Sequence, residues 1–224
     1  MRRVLVVAVC AAGVSAASMA ARRAPEAAPE RAAQRAGAPP QTPPAQPGQR
    51  GRGRGRGRGA VQVMALTTTA WRDGGEIPVK YAQAGDEVSP PLAWSGVPEG
   101  VQSFALVAHD LDALSRGETV LHWLVWNIPG TATSLPEGVP HGSQLPDGTR
   151  QISVSGPYYR GPGAPATGPP HHYVFELYAL DAMLEVAPAE ASPAETRAAV
   201  IAAMADRIRG KGVLVGRYRA APAK

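Results

Sequence analysis

Between Val61 and Tyr218 the chain is built of short apolar runs set apart by proline and glycine. Val63 to Trp71, Ile77 to Tyr81, Ser103 to His109, Thr119 to Ile128, Gln151 to Ser155, His172 to Leu180 and Val213 to Tyr218 each read as a strand. Strong breakers lie between them: Ser89-Pro90-Pro91, Val97-Pro98-Glu99-Gly100, Ile128-Pro129-Gly130 and Pro136-Glu137-Gly138. Between its first residue, Thr119, and Ile128 the run is apolar at both parities apart from His122 and Asn127, the pattern of a strand buried on both faces. One helix is predicted. Ser192-Pro193-Ala194-Glu195 has the form of a capping box with proline at the first helical position. Val200, Met204 and Ile208 form its stripe, and Gly210 is its expected C-terminal cap. Many short strands joined by tight turns predict an all-β sandwich of antiparallel sheets with a few short helices, not a parallel α/β fold.

The first 59 residues follow another pattern. Arg2 and Arg3 precede an uncharged apolar run from Val4 to Ala17, and Ser18-Met19-Ala20 places small residues where a signal peptidase reads them. The run is short for a membrane span. Residues 1–20 are therefore expected to be a signal peptide cleaved after Ala20, with a periplasmic or extracellular destination. A retained anchor ranks below that. Lipidation at Cys10 ranks last, because bulky Val9 precedes it. Apart from Glu26, Glu30 and Thr42, residues 21–59 consist of Ala, Pro, Gln, Arg and Gly and end in an alternating Arg-Gly tract from Gly51 to Gly59. They hold too little apolar surface to offset ordering entropy and are expected to be a disordered linker. Such tracts bind RNA in other settings. Behind a signal peptide this one reads as a solvated tether with loose affinity for anionic envelope components.

Charge sharpens the division. Residues 1–59 carry eleven of the 23 basic residues and only Glu26 and Glu30, a net of +9. The remaining twelve basic and sixteen acidic residues leave residues 60–224 at −4. The basic character belongs to the tail, which excludes a DNA-binding body and any specific nucleic-acid partner. Cys10 is the single cysteine, so the body has no disulfide, thiolate nucleophile or cysteine metal site.

Three clusters carry potential chemistry, all expected at strand ends. They are Asp110-Leu111-Asp112, His122-Trp123, and the stretch from Tyr159-Arg160-Gly161-Pro162 to His171-His172-Tyr173. Strand parity places His171 and Tyr173 with Phe175 and Leu177, and His122 with Leu124 and Trp126. Taken singly, each has a plainer reading: a hydrogen-bonded core histidine, a turn-forming aspartate, a proline-glycine loop.

Jointly they resemble the phosphatidylethanolamine-binding protein family. The shared elements, in family order, are Ser89-Pro90-Pro91-Leu92-Ala93-Trp94, Asp110-Leu111-Asp112-Ala113, His122-Trp123, Gly161-Pro162, His171-His172-Tyr173 and Leu214-Val215-Gly216-Arg217-Tyr218. Phe175-Glu176-Leu177-Tyr178-Ala179-Leu180-Asp181 resembles the bacterial Raf-kinase-inhibitor-like, YbhB/YbcL-type branch. The resemblance covers Val61 to Arg219. It implies a pocket made by Asp110, His122, Pro165, His171 and Tyr173, with Tyr159 opening the proline-rich loop. It further implies a small anionic or phosphoryl ligand, no cofactor and no metal. Imidazole and phenol donors with loop amides suit an anion, and a carboxylate can set the tautomer of a neighbouring histidine. Leu111 and Leu114 replace two family prolines, His172 stands where the family has arginine, and Asp206-Arg207 replaces a late Gly-His.

The expectation is a signal peptide, a linker, and a ligand-binding domain over residues 60–224 that is not an enzyme. Inhibition of a partner enzyme is a further role the resemblance implies, and a homodimer is left open. The rival is a hydrolase or metal-dependent enzyme using the His/Asp cluster. No Gly-x-Ser-x-Gly elbow or His-Glu-x-x-His helix supports that rival.

Overall fold

The computed structural model describes residues 60–115 and 117–222, so the expected signal peptide and linker lie outside the described residues. In chain order the elements are β1 (Gln62–Val63), β2 (Ala65–Thr67), β3 (Gly75–Glu76), a 3-10 turn (Val79–Tyr81), β4 (Leu92–Ser95), β5 (Ser103–Ser115) and β6 (Glu118–Pro129). β7 (Ser134–Leu135), β8 (Arg150–Ile152), β9 (His171–Leu180), α1 (Pro193–Met204) and β10 (Ile208–Tyr218) complete them. A seven-stranded sheet runs β1-β10-β9-β5-β6-β8, with β3 also on β10, and a small sheet runs β2-β4-β7.

The long strands β10, β9, β5 and β6 pair antiparallel, as expected. β1 and β3 pair parallel with opposite ends of β10, so the large sheet is mixed. These two-residue strands are reached by long connections, which removes the hairpin constraint that enforces antiparallel order.

Two cores flank the large sheet. Trp71, Ile77, Leu92, Trp94, Phe104, Leu106, Trp123, Phe175 and Leu214 fill the space between it and the small sheet. Ala105, Val107, Leu124, Trp126, Ile152 and Leu180 pack on its other face against Val200 and Met204 of α1. Burial on both faces is why Thr119 to Ile128 lacks alternation. Gly216 lets the layers approach, since a Cβ there would drive into the Ile77 side chain.

Several expected elements differ. Ile77 to Tyr81 is not a strand: Pro78 fixes its φ and lacks a donor, and Tyr81 N–H bonds Pro78 O at 3.0 Å in a 3-10 turn. Val63 to Trp71 ends as strand at Thr67, and the Thr68 hydroxyl then bonds Pro91 O at 2.6 Å. The strand expected over Gln151 to Ser155 stops at Ile152, where Ser153 N–H turns back to Gly156 O. α1 ends at Met204, and Ile208 and Gly210 belong to β10 rather than to the helix and its cap. Ser192 makes no side-chain cap, and Thr196 Oγ1 instead accepts Ala189 N–H at 2.9 Å. β4 has no strand signal in the sequence, because its four residues lie among breakers. Among the described residues no helix is long and apolar enough to cross a membrane.

Candidate functional site

β5 does not stop at His109; it runs on to Ser115 and carries Asp110 inside the sheet opposite Tyr173 of β9. Asp110 is 3% exposed, and its two oxygens do separate work. Oδ1 accepts Asp112 N–H at 2.8 Å, the turn-forming role, while Oδ2 lies 2.9 Å from His171 Nδ1. A carboxylate accepts, so His171 Nδ1 carries the hydrogen and Nε2 is the nitrogen left for a ligand.

His122 reaches the same place through a β-bulge. β5 and β6 pair Ala108 with Trp123 and His109 with Leu121, so His122 is the extra residue. A bulge re-aims side chains by breaking alternation. Leu121 and Leu124 thus face the helix-side core, whereas Trp123 joins the intersheet core. His122 projects on that intersheet side, its ring edge-on to Tyr173 at 5.0 Å. The parity that grouped His122 with Leu124 and Trp126 is therefore corrected. His122 Nδ1 lies 2.9 Å from Arg160 O, and Arg160 N–H returns a bond of 2.9 Å to His122 O. A carbonyl only accepts, so His122 also donates through Nδ1 and keeps Nε2 for a ligand. Burial pushes its pKa below the ordinary histidine value, partly opposed by the Arg160 carbonyl and by Asp110.

The loop from Arg160 to Pro165 closes the site. Gly161 lies against the backbone of Tyr81 and Ala82, where a Cβ would clash. Gln83 N–H bonds Pro162 O at 3.0 Å, and the Gln83 amide donates to Gly161 O at 2.7 Å. The loop amides expected to serve an anion are committed inside the protein. Arg160 N–H goes to His122 O, Gly161 N–H to Glu87 Oε1 at 3.1 Å, and Gly163 N–H to the Tyr173 phenol oxygen at 3.3 Å. Burial, then the Asp110 charge, raises the Tyr173 pKa and keeps the phenol protonated.

Asp110, His122, Pro165, His171 and Tyr173 all line one cavity of ≈ 250 Å³. Tyr159 does not. It is buried behind the loop, edge-on to Trp123 at 5.5 Å, with its hydroxyl donating to Tyr81 O at 3.1 Å. Burial raises its pKa too, so it is an interior post and not a pocket donor. The remaining walls are Ala113, Val120, Gly163 and Ala164, with Gln83 and Arg160. Sequence reasoning missed these last two. Arg160 had a signal, a cation inside the site loop; Gln83 had none, being brought in by the 3-10 turn.

Adjacent His172 points to the opposite face, exposed and paired with Asp112 at 2.9 Å. A larger hollow of ≈ 640 Å³ lies by β3 and the end of β10. Its arginines are tied to backbone, Arg217 to Gly74 O and Arg219 to Gly168 O, and it contains no histidine. Among the described residues no group of three or more His, Cys, Asp or Glu side chains is arranged to hold a metal ion.

The family model described as phosphatidylethanolamine-binding protein matches residues 67–219. A UPF0098 protein of Methanothermobacter thermautotrophicus is 42% identical over 158 residues, covering 70% of this chain and 99% of its own. LppC of Mycobacterium tuberculosis H37Rv, a chain named as a lipoprotein, is 34% identical over 161 residues, 71% of this chain and 74% of its own. The crystal structure of Escherichia coli YbcL, titled a member of the mammalian PEBP family, superposes with a TM-score of 0.58 at 27% identity. It covers 70% of this chain and 98% of that one. On the family-model match, these relatives and the matching fold, the chain belongs to the phosphatidylethanolamine-binding protein family, in its YbhB/YbcL-type branch.

Proposed function

We propose that this ligand-binding protein holds a small anionic or phosphoryl group in the cavity between His122 and His171, and that it is a binding protein rather than an enzyme. The observation that carries this reading is the convergence of two imidazoles, a guanidinium and the Tyr173 phenol on a cavity of ≈ 250 Å³, with Asp110 bound to His171 and with Ala113, Val120, Gly163, Ala164 and Pro165 as its small or apolar walls. That volume is below the usual range of about 300–1,000 Å³ for drug-sized ligands, so it suits a head group and not a whole lipid. The lining contains no serine, threonine or cysteine, and its one hydroxyl, on Tyr173, is held protonated. That argues against nucleophilic catalysis. Calorimetric titration of the mature protein with inorganic phosphate tests the reading. Saturable binding lost in His122→Ala supports it, and absence of binding between about pH 5 and 7.5 would end it.

A second reading has one observation behind it. His171 hydrogen-bonded to a buried aspartate is the arrangement of an oriented general base, which could activate water against a phosphate ester. Turnover of a phosphate ester that disappears in Asp110→Asn would favour it.

An exported location fits the signal-like first 20 residues and the similarity to LppC. Release of a shortened chain into the periplasm, with cleavage after Ala20, tests it. Inhibition of a partner enzyme belongs to the same proposal as a consequence of pocket occupancy.

A further inference from the structure

Arg160 supplies the guanidinium of the cavity wall, and two different things hold it. Its backbone is fixed by the pair of bonds it shares with His122. Its side chain has several rotatable bonds, so the direction of the charge is set by whatever the guanidinium bonds. That partner is Gln83, whose Oε1 accepts from Arg160 Nη2 at 2.9 Å. The same amide donates from Nε2 to Gly161 O at 2.7 Å, and the Gln83 main-chain N–H donates to Pro162 O at 3.0 Å. Gly163 leaves the space this needs, since a Cβ there would come within 2.4 Å of Gln83 Nε2. The two ends of the amide cannot be exchanged, because a guanidinium only donates and a carbonyl only accepts.

We infer that Gln83 is a positioning residue of this pocket: its one planar amide ties the Arg160 guanidinium to the backbone of the site loop and so fixes where the charge stands at the cavity. This rests on the anion-pocket reading above and adds to it a residue from outside the loop. Gln83 engages one Nη2 hydrogen, and the rest of the guanidinium fork is left for a ligand. The requirement for glutamine is chemical. Glutamate has the same shape, but its carboxylate only accepts. It would pair with Arg160, meet the Gly161 carbonyl without a hydrogen, and neutralise the charge offered to an anion. Methionine fills similar space and makes neither bond. Glu87 braces the same loop by accepting Gly161 N–H at 3.1 Å, a bond to backbone that leaves the direction of the guanidinium to Gln83.

The test is a double-mutant cycle on the full mature chain, read by calorimetric titration with inorganic phosphate at about pH 7, where every carboxylate is ionised. Gln83→Met should weaken phosphate about 3- to 10-fold, the scale of one hydrogen bond. In an Arg160→Met background the same substitution should change affinity by less than about twofold, because the group it positions is gone. Gln83→Glu should bind at least as weakly as Gln83→Met, although it keeps an acceptor for Arg160. Nitrogen-15 spectra of the unliganded protein give a readout independent of binding: rotation of the Arg160 guanidinium should be slowed in the parent and released in Gln83→Met. Unchanged melting of the variants checks that the fold survives. Equal losses in the two backgrounds would make Gln83 a brace of the loop alone and overturn the inference, as would parental affinity in Gln83→Glu or a guanidinium that rotates equally freely in parent and Gln83→Met. Absence of phosphate binding by the parent removes the anion-pocket reading itself, and the guanidinium signal then still decides whether Gln83 holds Arg160.

Discussion

Asp110 forms a turn with one oxygen and holds the His171 ring with the other, so one carboxylate serves both the turn and the histidine. His171 and His172 show how sharply adjacent residues part. His171 lines the cavity with Asp110, and His172 stands on the other face with Asp112. Either His122→Ala or His171→Ala should cost about 1.5–3 kcal/mol of phosphate affinity, and the double change less than the sum, because both rings address one ligand. His172→Ala should leave affinity nearly unchanged. Calorimetry on the four proteins decides, and loss of binding in His172→Ala alone would move the site to the opposite face. The pH response follows from His122. Its pKa is lowered in the unliganded protein by burial, and a bound anion raises it, so binding takes up protons. Phosphate affinity should rise as pH falls from about 7.5 toward 5, most steeply between the bound-state pKa and the lower unliganded one. Titrations in buffers of different ionisation enthalpy should show that uptake; proton release would contradict the assigned tautomers.

At the scale of elements, the bulge at His122 matters most. Without it, β6 would turn His122 away from Tyr173 and toward α1. Trp126 anchors the other side of β6. It is fully buried, its indole donates to Val186 O at 3.0 Å, and it is absent from the cavity wall. Trp126→Ala should lower stability by about 3–5 kcal/mol, measured by denaturant unfolding, without a specific loss of binding in the fraction that folds. Glu176 of β9 ties neighbouring strands on the same outer face as His172. His109 of β5 approaches it at 3.5 Å and Lys211 of β10 at 2.5 Å, and together they lower its pKa to about 2. A depressed carboxylate contributes stability above its unfolded pKa and loses that contribution as pH falls through the folded value. Glu176→Gln should therefore cost about 1–3 kcal/mol near neutrality, and the difference from the parent should fade as pH falls from about 4.5 to 2. A pH-independent difference would show that packing, not charge, holds the position.

At the scale of the whole molecule, the charge division predicts two separable behaviours. Residues 21–59 contribute almost no apolar surface, so a chain beginning at Ala60 should unfold cooperatively within a few degrees of the mature protein. Loss of a cooperative transition would show that the boundary lies earlier. The same truncation should release the protein from isolated envelopes if the basic tail provides the loose anchoring proposed, while leaving phosphate binding intact.

The long strands, the double burial of β6 and the candidates Asp110, His122, His171 and Tyr173 that line one cavity were legible in the sequence, because apolar periodicity and motif order are local properties of the chain. The sequence was misleading wherever one residue's geometry depended on a distant partner. Strand parity places His122 on the wrong face, since the bulge exists only in the pairing with β5. Tyr159 matched the family loop yet became an interior post, because the Trp123 ring and the Tyr81 carbonyl close around it. The loop amides looked available as donors until the fold brought Glu87, His122 and Tyr173 to them. Gln83 carried no sequence signal and joined the site through the 3-10 turn at Val79–Tyr81. Local pattern determined which residues could serve. Tertiary hydrogen bonding decided which of them still had a proton or a lone pair to offer, because each buried polar group must first be satisfied by whatever the fold places beside it.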